Sequence, residues 1–142
     1  MKKLITAVAM VAVALVANAK MTDADTIAAT LWLEARGEGH EGIKAVASVI
    51  ANRAAKSGKT MAQECLKPKQ FSCWNGVKVA MPTKAKGEVW EFCKTTAKTM
   101  VDGTFKPTNN ATHYYNPKLC NPKWGAKMTD VVMIGRHRFG RC

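Results

Sequence analysis

Apolar residues recur at three- and four-residue intervals through most of this chain, and the places where that period fails divide it into elements. Ile27, Ala28, Leu31, Trp32 and Ala35 fall on one face of a helix predicted over residues 23–35. Thr22 precedes it as an N-cap, with Asp25 three residues on to complete a capping box, and Gly37 and Gly39 end it. Ile43, Val46, Ala47, Ile50 and Ala54 predict a second helix over 42–56, stopped by Ser57-Gly58. A helical turn near 61–66 leads through Pro68 to Gln70-Phe71-Ser72-Cys73-Trp74, and Asn75-Gly76 marks a turn. The longest helix is predicted from Thr83 to Asp102, with Val89, Cys93, Ala97 and Met100 facing inward and Gly103 closing it. Then the pattern changes. Residues 107–120, rich in Asn, Thr, Tyr and Pro, read as an extended segment with turns, and 131–139 as a final short strand or loop ending at Phe139. These elements predict a mainly helical α+β domain with one irregular, polar, aromatic-rich wall. At 142 residues the chain can bury one real core and not two.

The first nineteen residues follow another pattern. Met1-Lys2-Lys3 is a positive start, residues 4–16 are almost unbroken apolar, and Ala17-Asn18-Ala19 supplies a small-residue cleavage pattern. The run is short for a bilayer span, which takes roughly 20 apolar residues. Residues 1–19 are therefore expected to be a signal peptide, with a releasable signal anchor as the alternative, and residues 20–142 the functional domain. Either leader delivers the domain to the periplasm, cell envelope or extracellular space.

Charge adds a partner class. There are 22 Lys and Arg against 10 Asp and Glu, a formal net charge of +12. Such a chain is drawn to polyanions. The export signal argues against nucleic acid, and the scattered lysines suit general steering rather than base reading. Bacterial cell wall is the expected partner, with membrane contact only through the leader. A monomer is expected.

Five cysteines in an exported chain suggest disulfides. The expected bridges are Cys65–Cys73 and Cys120–Cys142, with Cys93 left as a buried thiol. No C-x-x-C occurs, and His40, His113 and His137 lack ligand spacing, so no metal and no cofactor is expected.

Chemistry concentrates in Glu34-Ala35-Arg36-Gly37-Glu38-Gly39-His40-Glu41. Glu34 sits in the last turn of the first helix, the unfavourable end of the dipole for a negative charge. Partial burial there would favour the protonated form, as a general acid needs. Glu38 and Arg36 would organise the neighbouring loop or hold substrate. Glu64, Glu88, Glu91, Asp102 and Asp130 read as surface acids, so one well-placed acid is better supported than a pair. Ala111-Thr112-His113-Tyr114-Tyr115-Asn116-Pro117 could line a saccharide groove, with rings on sugar faces and His113, Tyr115 and Asn116 binding polar groups. Cys73-Trp74 with His113 and Asn116 downstream has a surface similarity to papain-like cysteine peptidases, but the Gly and Cys that precede their nucleophile are missing.

In order, these blocks resemble the SleB-type cell-wall hydrolases, the spore-cortex-lytic family. The matching segments are Glu34-Ala35-Arg36-Gly37-Glu38, Gly42, residues 45–53, Gln70-Phe71-Ser72-Cys73, residues 111–117 and Ile134-Gly135-Arg136-His137-Arg138-Phe139. The resemblance implies a lysozyme-like fold of the lytic transglycosylase type. It also implies cleavage of the β-1,4 bond between N-acetylmuramic acid and N-acetylglucosamine in peptidoglycan glycan strands, with Glu34 as the catalytic glutamate. One departure stands out: the family commonly has Tyr-Gly before that glutamate, and this chain has Trp32-Leu33. A bulkier Leu33 would narrow the groove and bear on substrate range. With a single acid, a 1,6-anhydro product is expected, and muramidase hydrolysis is the alternative. A wall peptidase using Cys73 and His113, and a non-catalytic cationic wall-binding protein, are the rivals from other classes.

Overall fold

The computed structural model describes residues 20–68 and 70–142; the leader expected over 1–19 lies outside the described residues. Helix α1 spans Asp23–Ala35, opened by the Thr22–Asp25 capping box. Helix α2 spans Gly39–Ser57, starting before the expected Gly42 because the connection from α1 is a tight turn in which Glu38 N–H donates to Ala35 C=O. Helix α3 spans Met61–Leu66, with a second capping box between Thr60 and Gln63. A 3₁₀ turn at Ser72–Trp74 follows, then helix α4 over Gly87–Asp102. It starts later than Thr83 for a backbone reason. Gly87 has φ of +83°, and a left-handed residue there stops the helix from extending backwards.

The C-terminal third forms a small antiparallel sheet of β1 (His113–Tyr115), β2 (Thr129–Ile134) and β3 (His137–Arg141), in the order β1-β3-β2. Where one short strand or loop was expected over 131–139, Gly135-Arg136 turns the chain and pairs Ile134 with His137. Strand β1 lies on the other side of β3, with Tyr114 opposite Phe139.

The core lies between the helices and one face of this sheet. Ile27 and Leu31 of α1, Ile43, Val46 and Ile50 of α2, and Phe71 and Phe139 are all essentially inaccessible. Burying each such side chain contributes about 1.5–3 kcal/mol. On α4 the inward face is Trp90, Cys93, Ala97 and Met100, with Val89 only half-buried. This is the mainly helical α+β architecture expected.

Two expectations are corrected by the packing. Glu64, read as a surface acid, is 2% exposed, and its Oε2 accepts a hydrogen bond from Ser57 Oγ at 3.0 Å. The expected Cys65–Cys73 and Cys120–Cys142 bridges are not formed, and all five thiols are free. Cys65 is fully buried on α3, and Cys73 lies on the 3₁₀ turn, where its backbone N–H donates to Glu34 Oε1. Cys120 is tied to Asn116, beyond one end of β1, whereas the Cys142 N–H donates to Thr112, before the other end. Those anchors are about 13 Å apart along an extended strand, against a Cα separation of about 4.4–6.8 Å in a disulfide.

The buried thiols carry a pH prediction. Burial pushes both Cys65 and Cys93 up to about 12 from an ordinary 9.0. The unfolded chain releases these protons first as pH rises, so their stabilising contribution is complete below pH 9 and is lost between 9 and 12. The melting temperature under reducing conditions should fall as pH rises above 9, and Cys93→Ala should flatten that decline. A flat profile in the parent protein would contradict the assignment.

Candidate active site

Glu34 is half-buried in the last turn of α1, at the base of an open cleft of about 440 Å³. Gln70, Ser72 and Asn75, around the 3₁₀ turn, form one wall, and His113, Tyr115 and Trp124 form the other. Among the described residues, Glu34 is the one carboxylate lining this cleft.

Each oxygen of Glu34 has its own donor. The Cys73 backbone N–H reaches Oε1 at 3.3 Å, and Tyr114 Oη donates to Oε2 at 3.1 Å. Two donors from separate segments fix the plane of the carboxyl group. Both neighbours are held in their protonated forms. Burial, and then the adjacent Glu34 charge, push the Tyr114 hydroxyl well above the usual phenol range. The same two causes, in the same order, raise the Cys73 thiol. A thiol so raised is a poor nucleophile.

Tyr114 is held by its ring, which stacks on Phe139 with centroids 5.3 Å apart. The aromatic wall is built from its neighbours on β1. Tyr115 is buried, its Oη accepting from Arg138 at 2.8 Å, and its ring meets Trp124 edge-on at 5.4 Å. His113 lies 5.1 Å from the same indole, with Nδ1 3.0 Å from Thr112 Oγ1. Burial first, then the positive charges of Arg53 and Lys56, lower its pKa, so the ring is neutral near pH 7.

The cleft therefore gathers Glu34, His113 and Tyr115 of the expected site residues. The other three serve nearby structure. Arg36 is exposed, and its guanidinium bonds the Trp32 and Leu33 carbonyls at the end of α1. Asn116 Oδ1 accepts from the Lys118 N–H in the turn that leads to Cys120. The Glu38 side chain is 5% exposed and holds the β2–β3 turn through Arg136 Nε at 3.0 Å and His137 Nδ1 at 3.2 Å. Gly135 makes that contact possible. Its φ is +57°, and a Cβ there would lie 2.6 Å from Glu38 Oε2. Gly135→Ala should cost roughly 1–3 kcal/mol, read as a lower denaturation midpoint; an unchanged midpoint would show that the turn is not held this way.

Tyr114, Arg53 and Trp124 are site residues that sequence reasoning did not single out. The available signal was the two-residue alternation of β1, which turns Tyr114 away from His113 and Tyr115 and towards the core. No group of three His, Cys, Asp or Glu side chains among the described residues is placed to hold a metal ion.

A family model for cell wall hydrolases matches residues 37–140. The chain belongs to the cell wall hydrolase family. The match takes in Arg53, His113, Tyr114 and Tyr115 and begins just after Glu34. Spore cortex-lytic enzymes from Bacillus cereus and Oceanobacillus iheyensis are 30% and 28% identical to this chain, over 82% of its length in each case. It spans 43% and 41% of those longer relatives. Among solved structures, the catalytic domain of the germination-specific lytic transglycosylase SleB from Bacillus anthracis superposes with a TM-score of 0.64 at 25% identity, covering 87% of this chain and 98% of that one. The catalytic domain of Bacillus cereus SleB also gives 0.64, at 26% identity, covering 87% and 94%. The chain thus has the lysozyme-like fold of the SleB catalytic domains.

Proposed function

We propose that this chain degrades peptidoglycan by cleaving the β-1,4 bond between N-acetylmuramic acid and N-acetylglucosamine, with Glu34 as both acid and base. The observation that carries the reading is one carboxyl group at the base of an open cleft, fixed by Cys73 N–H and Tyr114 Oη, with no partner carboxylate in the walls among the described residues. A glycosidase with two working acids places them roughly 5–9.5 Å apart across the bond. The single acid supports an internal nucleophile instead. Glu34 protonates the glycosidic oxygen as the C1–O bond breaks. The resulting carboxylate takes the proton of the muramoyl 6-hydroxyl, and O6 bonds to C1, leaving a 1,6-anhydro end. No water is consumed.

His113, Tyr115 and Trp124 offer a wall on which sugar faces and N-acetyl groups can rest. Arg36 and Glu38 support the site from outside by shaping the end of α1 and the hairpin turn. The net charge of +12 would concentrate the protein at an anionic wall, and a leader over 1–19 would export it there. Purified sacculi test the reading. Soluble glycan fragments without new amino termini are expected. New amino termini would mean a peptidase, and binding without soluble products a wall-binding protein.

A further inference from the structure

Beside the cleft lies a second pocket, of about 290 Å³, that the proposed chemistry does not use. Arg53, Gln70 and His113 belong to the walls of both, so the two are continuous. Lys56 and Lys67 complete its basic side. Its one carboxylate, Glu64, is 2% exposed and already accepts from Ser57. Neither lysine has a carboxylate within 4.0 Å among the described residues. Arg53 spends Nε on the Thr112 carbonyl, while its Nη1 is buried without an acceptor. The neutral His113 adds no charge, so three cations outweigh one anion at this wall.

We propose that this pocket is an anion subsite for a carboxylate of the stem peptide carried by the muramoyl residue in the cleft; the inference rests on the glycan-cleaving reading above. The muramoyl 3-substituent must leave the sugar sideways from a strand lying over Glu34, and the shared wall at Arg53, Gln70 and His113 gives it a way into the basic pocket. The volume suits a piece of peptide. A free lactyl carboxylate, one ether bond from the ring, would use little of it.

The test is calorimetric titration of the Glu34→Gln protein, which would leave its ligand uncleaved. The ligands are a muramoyl disaccharide bearing a tripeptide with free carboxylates and the same disaccharide stripped of peptide by an amidase. Each is run with and without Lys56→Gln/Lys67→Gln, with circular dichroism confirming the fold. The peptide-bearing ligand should bind about tenfold more tightly. That advantage should disappear in the double lysine variant and shrink as salt rises. Equal affinity for the two ligands, no binding of the peptide-bearing one, or an advantage that survives loss of both lysines would each overturn the subsite. If the stripped disaccharide binds as tightly and depends on the same lysines, the pocket holds the lactyl carboxylate, and the stem-peptide assignment falls. The two readings fail separately. Lysis of sacculi without lysine-dependent stem binding refutes the subsite alone, and lysine-dependent stem binding without lysis refutes the glycan-cleaving reading alone.

Discussion

Glu34→Gln should abolish lysis of purified sacculi, a loss of about a thousandfold or more, because the amide cannot exchange a proton with the glycosidic oxygen or the 6-hydroxyl. The fold should survive with a measurable cost. Glu34 accepts from Cys73 N–H on one oxygen and from Tyr114 Oη on the other. Glutamine has a single acceptor oxygen; with that oxygen on the Cys73 N–H, its NH₂ would donate to Tyr114 Oη and turn the phenol proton away from its present acceptor, costing about 1 kcal/mol. A domain of this size should then melt a few degrees lower and keep its helical circular dichroism. Retained lysis would remove Glu34 from the chemistry. Collapse of the fold would make the carboxyl group primarily structural.

Tyr114→Phe is the second large effect. The ring stacks on Phe139 and meets His137 edge-on, and phenylalanine keeps both contacts. What disappears is the hydroxyl that holds Oε2. With one of its two tethers gone, the carboxyl group should sample orientations away from the bond, and kcat on a soluble glycan should fall by about 10–100-fold. The KM should stay nearly constant, because in the proposed reading Tyr114 acts through Glu34 and the sugar is held by the wall of His113, Tyr115 and Trp124. A rise in KM at constant kcat would instead make Tyr114 a substrate contact. An unchanged kcat would show that the Cys73 N–H alone positions the acid.

Local signals explain which parts of this arrangement can be read from the sequence. Helix α1 is legible to its ends because a capping box opens it, an apolar stripe runs through it and a glycine-rich turn follows it. The same holds for α3, where Thr60 and Gln63 cap one another. The start of α4 is not, since periodicity continues upstream of Gly87 while its left-handed backbone ends the helix. The hairpin is hidden for a related reason. Residues 131–139 read as one short strand or loop, but Gly135, steered by Glu38 from the distant α1–α2 turn, reverses the chain.

Burial and partner choice depend on tertiary contacts, which spacing does not encode. Nothing around Glu64 in the sequence marks it as buried, because its neighbours, Ser57 and the Arg53 charge, are set by how α3 docks on α2. Cysteine spacing suggested two bridges, whereas Cys65 and Cys73 are both free thiols, held protonated by burial. Within the site, Glu34 stood out by its helix-end position. The Tyr114 hydroxyl did not, because its role depends on β1 folding back across the end of α1, which places residues 80 apart in sequence at 3.1 Å.

The most direct test of Glu34 as the lone acid is digestion of purified sacculi in heavy-oxygen water, followed by mass spectrometry of the released muropeptides. Internal attack by the 6-hydroxyl should yield 1,6-anhydromuramoyl ends with no heavy oxygen, and Glu34→Gln should yield none. Reducing ends that carry the heavy oxygen would mean that water is the nucleophile, contradicting the single-acid transglycosylase mechanism.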